Sequence, residues 1–300
     1  MENNSIVLNL VVLAVTLLMM VSVGLSLEVR HFIALSRIKF ALVGLLLLQC
    51  ILLPLLGLLV VSLFSLPPPI KTGVLLLAAC PVGDIANLYV LLARANAALA
   101  VTINTLSCAL AAVTMPAAFF VYGFLLGNTF TYSVPYTTLI GRLILLTLVP
   151  LVAGMAIRHR NLDWAVRLLK PSRALCSVGI LFLVTNMFLY EREHLAAVWR
   201  PTAIAASCLL ISSTLMGIAA VKAFRVPRSH AFGGSIIFPV RNIGLALAMS
   251  VSLPDGVWYA SFAVIFFLVE VPILLGRVVY HLWYGTEDGD VHIETELAAD

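Results

Sequence analysis

Charge is what this 300-residue chain has least of: Asp, Glu, Lys and Arg make up 11% of it, against about 25% in typical soluble domains. With 62% hydrophobic residues and a mean hydropathy of +1.09, that scarcity excludes an ordinary soluble protein. Long polar stretches are also missing, none exceeding about twenty residues, which leaves no room for a catalytic or binding domain outside a bilayer. Cysteine pairing is absent from the pattern. Cys50, Cys80, Cys108, Cys176 and Cys208 are odd in number, show no CxxC spacing and fall within apolar stretches. They read as small buried apolar residues, neither disulfides nor metal ligands. The six histidines lie in or next to loops, and GxxxxGK[ST], HExxH and GxSxG do not occur. These gaps exclude the common nucleotide-cradling, zinc-protease and serine-hydrolase schemes, so neither an enzyme nor a resident cofactor is expected.

What is present is hydrophobic runs punctuated by charge, proline and glycine. They predict nine membrane spans, near 6–27, 41–65, 73–93, 97–126, 137–157, 174–190, 201–221, 231–253 and 256–280. The first run lacks a basic start and a cleavage site, so it reads as a retained span rather than a signal peptide. The formal net charge of +4 conceals an uneven distribution, because six of the fourteen acids fall in the last fourteen residues. Residues 285–300 therefore read as a disordered acidic tail. With alternating sides, thirteen basic residues fall on one side of the bilayer and only Lys71, Arg192 and Arg200 on the other. The positive-inside rule then puts the N-terminus outside and the C-terminus in the cytoplasm, with a cell membrane as the setting. A basic excess of this kind marks cytoplasmic loops, not a nucleic-acid surface. Trp199 and Trp258 at outer ends, with Trp283 and Tyr284 at the inner end, fit aromatic belts. The segment from His159 to Arg173 reads as a short interfacial helix on an anionic leaflet.

Four charges are left at membrane depth: Arg142, Arg241, Asp84 and Glu270. Each costs about 2.5 to 3.5 kcal/mol at the bilayer centre and needs a partner or a wet cavity. Asp84 belongs to Cys80-Pro81-Val82-Gly83-Asp84-Ile85-Ala86-Asn87, which breaks the third span. Arg241 belongs to a matching interruption in the eighth, Gly233-Gly234-Ser235 followed by Phe238-Pro239-Val240-Arg241-Asn242-Ile243-Gly244. Proline removes a backbone donor and clashes with the preceding turn, and freed backbone groups are tolerated at membrane depth only where they meet protein or line a cavity. Two such breaks five spans apart run in opposite directions, as an inverted repeat requires, and point to a transporter's binding site. The repeats are 1–126, with four spans and a break near 80–88, and 127–284, with five spans and a break near 233–244.

Five segments in register resemble the bile acid:sodium symporter family: Gly24-Leu25-Ser26-Leu27; Gln49 five residues before Pro54; the Pro81 to Asn87 break; Leu99-Ala100-Val101-Thr102; and Asn242-Ile243-Gly244-Leu245-Ala246. The resemblance runs from about residue 20 to 280 and implies an all-α polytopic bundle with a panel domain, a core domain and two crossing broken helices. It also implies sodium ligands around the crossing. Gln49 and Asn87 keep that pattern. Ala86 and Ala100 stand where serines are implied, Asn104 where a threonine is, Ile237 where a glutamate is and Arg241 where a glutamine is. Sodium, a hard cation, wants oxygen donors and negative charge, so a conventional sodium site is not expected, although sodium or proton coupling stays open.

The candidate site is therefore Gln49, Asp84, Asn87, Asn104, Arg241, Asn242 and Glu270. Arg241 keeps its proton even in a poor dielectric and stands in for the missing ion, or else locks the crossing as a structural salt bridge. Asp84 on the facing break is its expected counter-charge. Glu270 reads as a proton carrier or as a counter-charge to Arg142 or Arg241. Asn104 and Asn242 are either helix-to-helix hydrogen-bonding groups or site residues. The resulting expectation is a secondary transporter of a small organic anion, with the lipid bilayer as its partner. A sodium-coupled symporter with rearranged ligands and a transport-inactive membrane receptor are the alternatives.

Overall fold

The computed structural model describes residues 2–26, 35–127, 136–190, 192–251 and 256–284. The acidic tail expected over 285–300 lies outside the described residues. Helix is nearly continuous: α1 (Glu2–Ser26), a short 3-10 turn leading into α2 (Lys39–Leu63), α3 (Pro68–Ala79), α4 (Ile85–Leu92), α5 (Ala98–Leu126), α6 (Tyr136–Leu143), α7 (Val149–Arg160), α8 (Leu162–Tyr190), α9 (Arg192–Ala223), α10 (Arg228–Ile236), α11 (Ile243–Val251) and α12 (Gly256–Tyr284). No strand occurs among the described residues, only one isolated backbone bridge. The chain is an all-α polytopic membrane protein, with six helical stretches among the described residues long and apolar enough to cross a bilayer.

The helices are sorted by a reversed amphipathicity. Along α2, Val43, Leu47, Ile51, Leu55, Leu59 and Leu63 repeat every four residues and are exposed, while Leu45, Gln49, Leu53 and Val60 are buried. A stripe of large exposed apolar side chains on one helical face suits lipid chains and would be intolerable in water. Phe40 extends this surface on α2, and Phe124 and Val113 of α5 and Leu181 of α8 continue it on other helices.

Packing divides the molecule into two units. In the first, α1 lies against α7 and α8. There Gly24 faces Gly154, and a Cβ on Gly24 would come within 2.2 Å of the Leu151 carbonyl oxygen, so only glycine permits this helix approach. Between α6 and α7 the chain takes a π-helical turn over Ile144–Leu148, closed by the Val149 N–H on the Ile144 carbonyl. Pro150 explains it: its missing N–H leaves the carbonyl four residues back without an α-helical donor, and the turn widens. The second unit comprises α2, α3, α4, α5, α9, α10, α11 and α12. Arg277 of α12 donates to the Ser235 hydroxyl on α10 and lies 5.4 Å from the Phe232 ring centroid. The units meet where Thr16 of α1 donates to the Gly244 carbonyl at 3.0 Å.

Two sequence expectations need correction. The stretch from His159 to Arg173 is not a separate interfacial helix. After one extended residue, Asn161, α8 runs unbroken from Leu162 into the span, started by the Asn161 side chain capping the Trp164 N–H at 3.1 Å. Gly233, Gly234 and Ser235 are likewise no part of a break but lie inside α10.

Candidate functional site

The two interruptions meet. Cys80 is driven into an extended conformation (φ −60°, ψ 151°) by the proline that follows it, which ends α3. The 81–83 segment then runs antiparallel to 240–242: the Gly83 N–H donates to the Val240 carbonyl at 3.2 Å, and the Asn242 N–H to the Pro81 carbonyl at 3.0 Å. Backbone groups that the two prolines would leave unpaired thus satisfy one another. The remaining Val82 N–H is taken by the Ser107 hydroxyl of α5 at 3.2 Å. Gly83 is obligatory here, because a Cβ would sit 2.5 Å from the Arg241 carbonyl oxygen. After the crossing, the Asn242 side chain accepts the Leu245 N–H at 2.9 Å and starts α11.

The seven residues singled out from sequence fall into two groups. In the first, the Asp84 carboxylate is held by the Asn87 amide at 2.7 Å and the Asn104 amide from α5 at 3.4 Å, both on Oδ1. Its Oδ2 faces the Arg173 Nε of α8 at 3.8 Å. Asp84 therefore pairs with Arg173, not with Arg241 as the sequence suggests. The second group gathers around Arg241. Arg241 is 5% exposed and Gln49 1%, and the guanidinium donates to the Gln49 Oε1 at 3.4 Å. Beside them, Cys50, Pro54, Cys80, Pro81 and Ser107 line a cavity of about 10 Å³, room for one water. Glu270 of α12 is fully buried and neither of its oxygens has a hydrogen-bond partner. It lies within electrostatic reach of Arg241 and of Tyr89 on α4. Glu270 is thus a buried acid without the direct contact to Arg241 that was expected of Asp84.

Asn242 works as a helix cap, and three of the positions where the resemblance implies oxygen ligands are closed. Ala86, Ala100 and Ile237 are buried to 0% exposure, so apolar carbon fills space that polar ligands would occupy. Among the described residues, no group of three His, Cys, Asp or Glu is placed to hold a metal.

Arg173 is the residue that sequence reasoning misses, because it ends the stretch that reads as an interfacial helix before the sixth span. The signal was available in Asn161-Leu162-Asp163-Trp164, an asparagine cap with an acid in the first turn. Placing the helix start there puts Arg173 three turns inside α8.

Comparison with known proteins agrees with this architecture. The profile described as the Sodium Bile acid symporter family matches residues 13–198. The "P3 protein" of Mus musculus is 25% identical over 204 residues, covering 67% of this chain and 42% of that protein. "Sodium/bile acid cotransporter 4" of Homo sapiens is 28% identical over 222 residues, covering 73% and 51%. "Ileal sodium/bile acid cotransporter" of Oryctolagus cuniculus is 28% identical over 188 residues, covering 62% and 54%. The chain spans about half the length of the curated relatives it matches.

Proposed function

The chain belongs to the Sodium Bile acid symporter family, and from that premise we propose that it is a secondary transporter of a small organic anion that works without conventional sodium coupling. The observation that carries this reading is the Arg241 guanidinium buried at the crossing beside Gln49. It supplies a permanent positive charge where relatives are implied to bind an ion, with Glu270 as the acid in its field. A cation entering beside it would meet repulsion in a poor dielectric and the apolar walls of Ala86, Ala100 and Ile237. Transport would follow alternating access, the crossing unit moving against the α1, α7 and α8 unit around a site between them. In the membrane, α1, the two broken pairs and the six long helical stretches make nine crossings, with the N-terminus outside and inverted repeats over 1–126 and 127–284. The anion class follows from the site's two arginines and from the bile acids in the relatives' names.

A thermal-shift screen of organic anions, bile acids included, tests the reading on the purified chain. Anions should raise the melting temperature, and replacing sodium by potassium should change apparent affinity less than about twofold, because without an ion site there is no differential binding to couple. A shift that requires sodium would overturn it in favour of sodium coupling, with the unpartnered oxygens of Glu270 and Asn87 as replacement ligands.

A further inference from the structure

Two guanidinium groups lie near the crossing, and they differ in what can reach them. Arg241 is sealed at 5% exposure and already donates to Gln49. Arg173 is 30% exposed and projects from α8, in the unit that faces the crossing across the seam. Its Nε lies 3.8 Å from the Asp84 Oδ2, beyond hydrogen-bond range. That buried Nε has no hydrogen-bond partner. A cationic donor so placed is under-satisfied, and a planar oxyanion that approached more closely would bind it better than Asp84 does.

Asp84, by contrast, does not depend on Arg173. Its Oδ1 takes the amides of Asn87 and Asn104, and these partners remain if the arginine turns away. The ion pair can therefore open without stranding the carboxylate.

Resting on the anion-transport reading, we propose that Arg173 binds the carboxylate or sulfonate group of the substrate, and that Asp84 occupies Arg173 as an internal competitor until substrate displaces it. The geometry gives the exchange a mechanical consequence. Asp84 belongs to the crossing unit and Arg173 to the α1, α7 and α8 unit, so each substrate anion that takes the guanidinium removes one tie between the two bodies whose relative motion transport requires. Specificity follows too: a substrate must carry its anionic group where Asp84 now presents its own.

Equilibrium binding of radiolabelled cholate and benzoate to the full chain in nanodiscs, with the corresponding uncharged amides as competitors, tests this. Wild type should prefer each anion to its amide. Arg173→Gln should weaken anion binding at least about tenfold and abolish that preference, while Asp84→Asn, which removes the competitor, should tighten it about fivefold. The opposite signs are the point. If the ion pair were only a structural tie, both substitutions would break it alike and shift binding in the same direction, which would overturn the proposal. Arg173→Lys, which keeps the charge and loses the fork, serves if the glutamine variant does not fold: weaker anion binding supports the proposal and unchanged binding overturns it. A wild type that binds neither anion better than its amide overturns the anion-transport reading itself, and this inference with it. Anion preference that survives in Arg173→Gln overturns only the role of Arg173.

Discussion

Arg241 and Glu270 pose the sharpest question at the scale of single residues, because both are buried ionisable groups at membrane depth. Removing one member of a buried pair typically costs about 3 to 5 kcal/mol, since the other is left uncompensated, whereas removing both is milder. Arg241→Gln and Glu270→Gln should therefore each lower thermal stability, and the double substitution should cost at least ~1 kcal/mol less than their sum. Arg241→Gln combined with Asp84→Asn should instead be additive within about 0.5 kcal/mol, because Asp84 answers to Arg173. A double-mutant cycle of unfolding in detergent reads both terms. Strong coupling in the Asp84 cycle and none in the Glu270 cycle would reverse the pairing described above.

For the elements, the crossing depends on backbone more than on side chains. Two prolines interrupt two helices, and the antiparallel contact at Val82 and Arg241 re-pairs what they release. Gly83 is the position with no freedom, its missing Cβ occupying the path of the Arg241 carbonyl. Gly83→Ala must push the segments apart and break the Gly83 to Val240 hydrogen bond, so a loss of several kcal/mol, on the order of 3, is expected. Gly276→Ala in α12 is the matched control. A Cβ there meets nothing within 4 Å, and alanine is the better helix former by roughly 1 kcal/mol. Melting temperatures of the two variants check the contrast, and equal tolerance would mean that the crossing is looser than described.

Over the whole molecule, the claim with most consequence is orientation. Thirteen basic residues on one side against three on the other predict an outside N-terminus, and the nine crossings proposed above predict a C-terminus on the opposite side. Single cysteines at Asn3 and Glu287, in a background lacking the native five, should react with an impermeant maleimide from opposite sides of the membrane. Labelling from the same side would overturn the odd number of crossings and the nine-span topology with it.

Composition and periodicity were enough to determine the solvent of this protein, its all-helical character and the two prolines at which its helices break, though not that Gly233 to Ser235 stay helical. Those properties follow from local chemistry: apolar runs need lipid, and Pro81 and Pro239 interrupt a helix wherever they stand. The resemblance carried by Pro81 to Asn87 and Asn242 to Ala246 also named the family. The partners of the buried charges were decided only by tertiary structure. Asp84, Glu270, Arg173 and Arg241 carry the same charges in the sequence whichever way they pair, and Coulomb energy depends on distances that spacing along the chain does not contain. Only the position of α8 brings Arg173 to Asp84, and only the position of α12 leaves Glu270 buried without a hydrogen-bond partner.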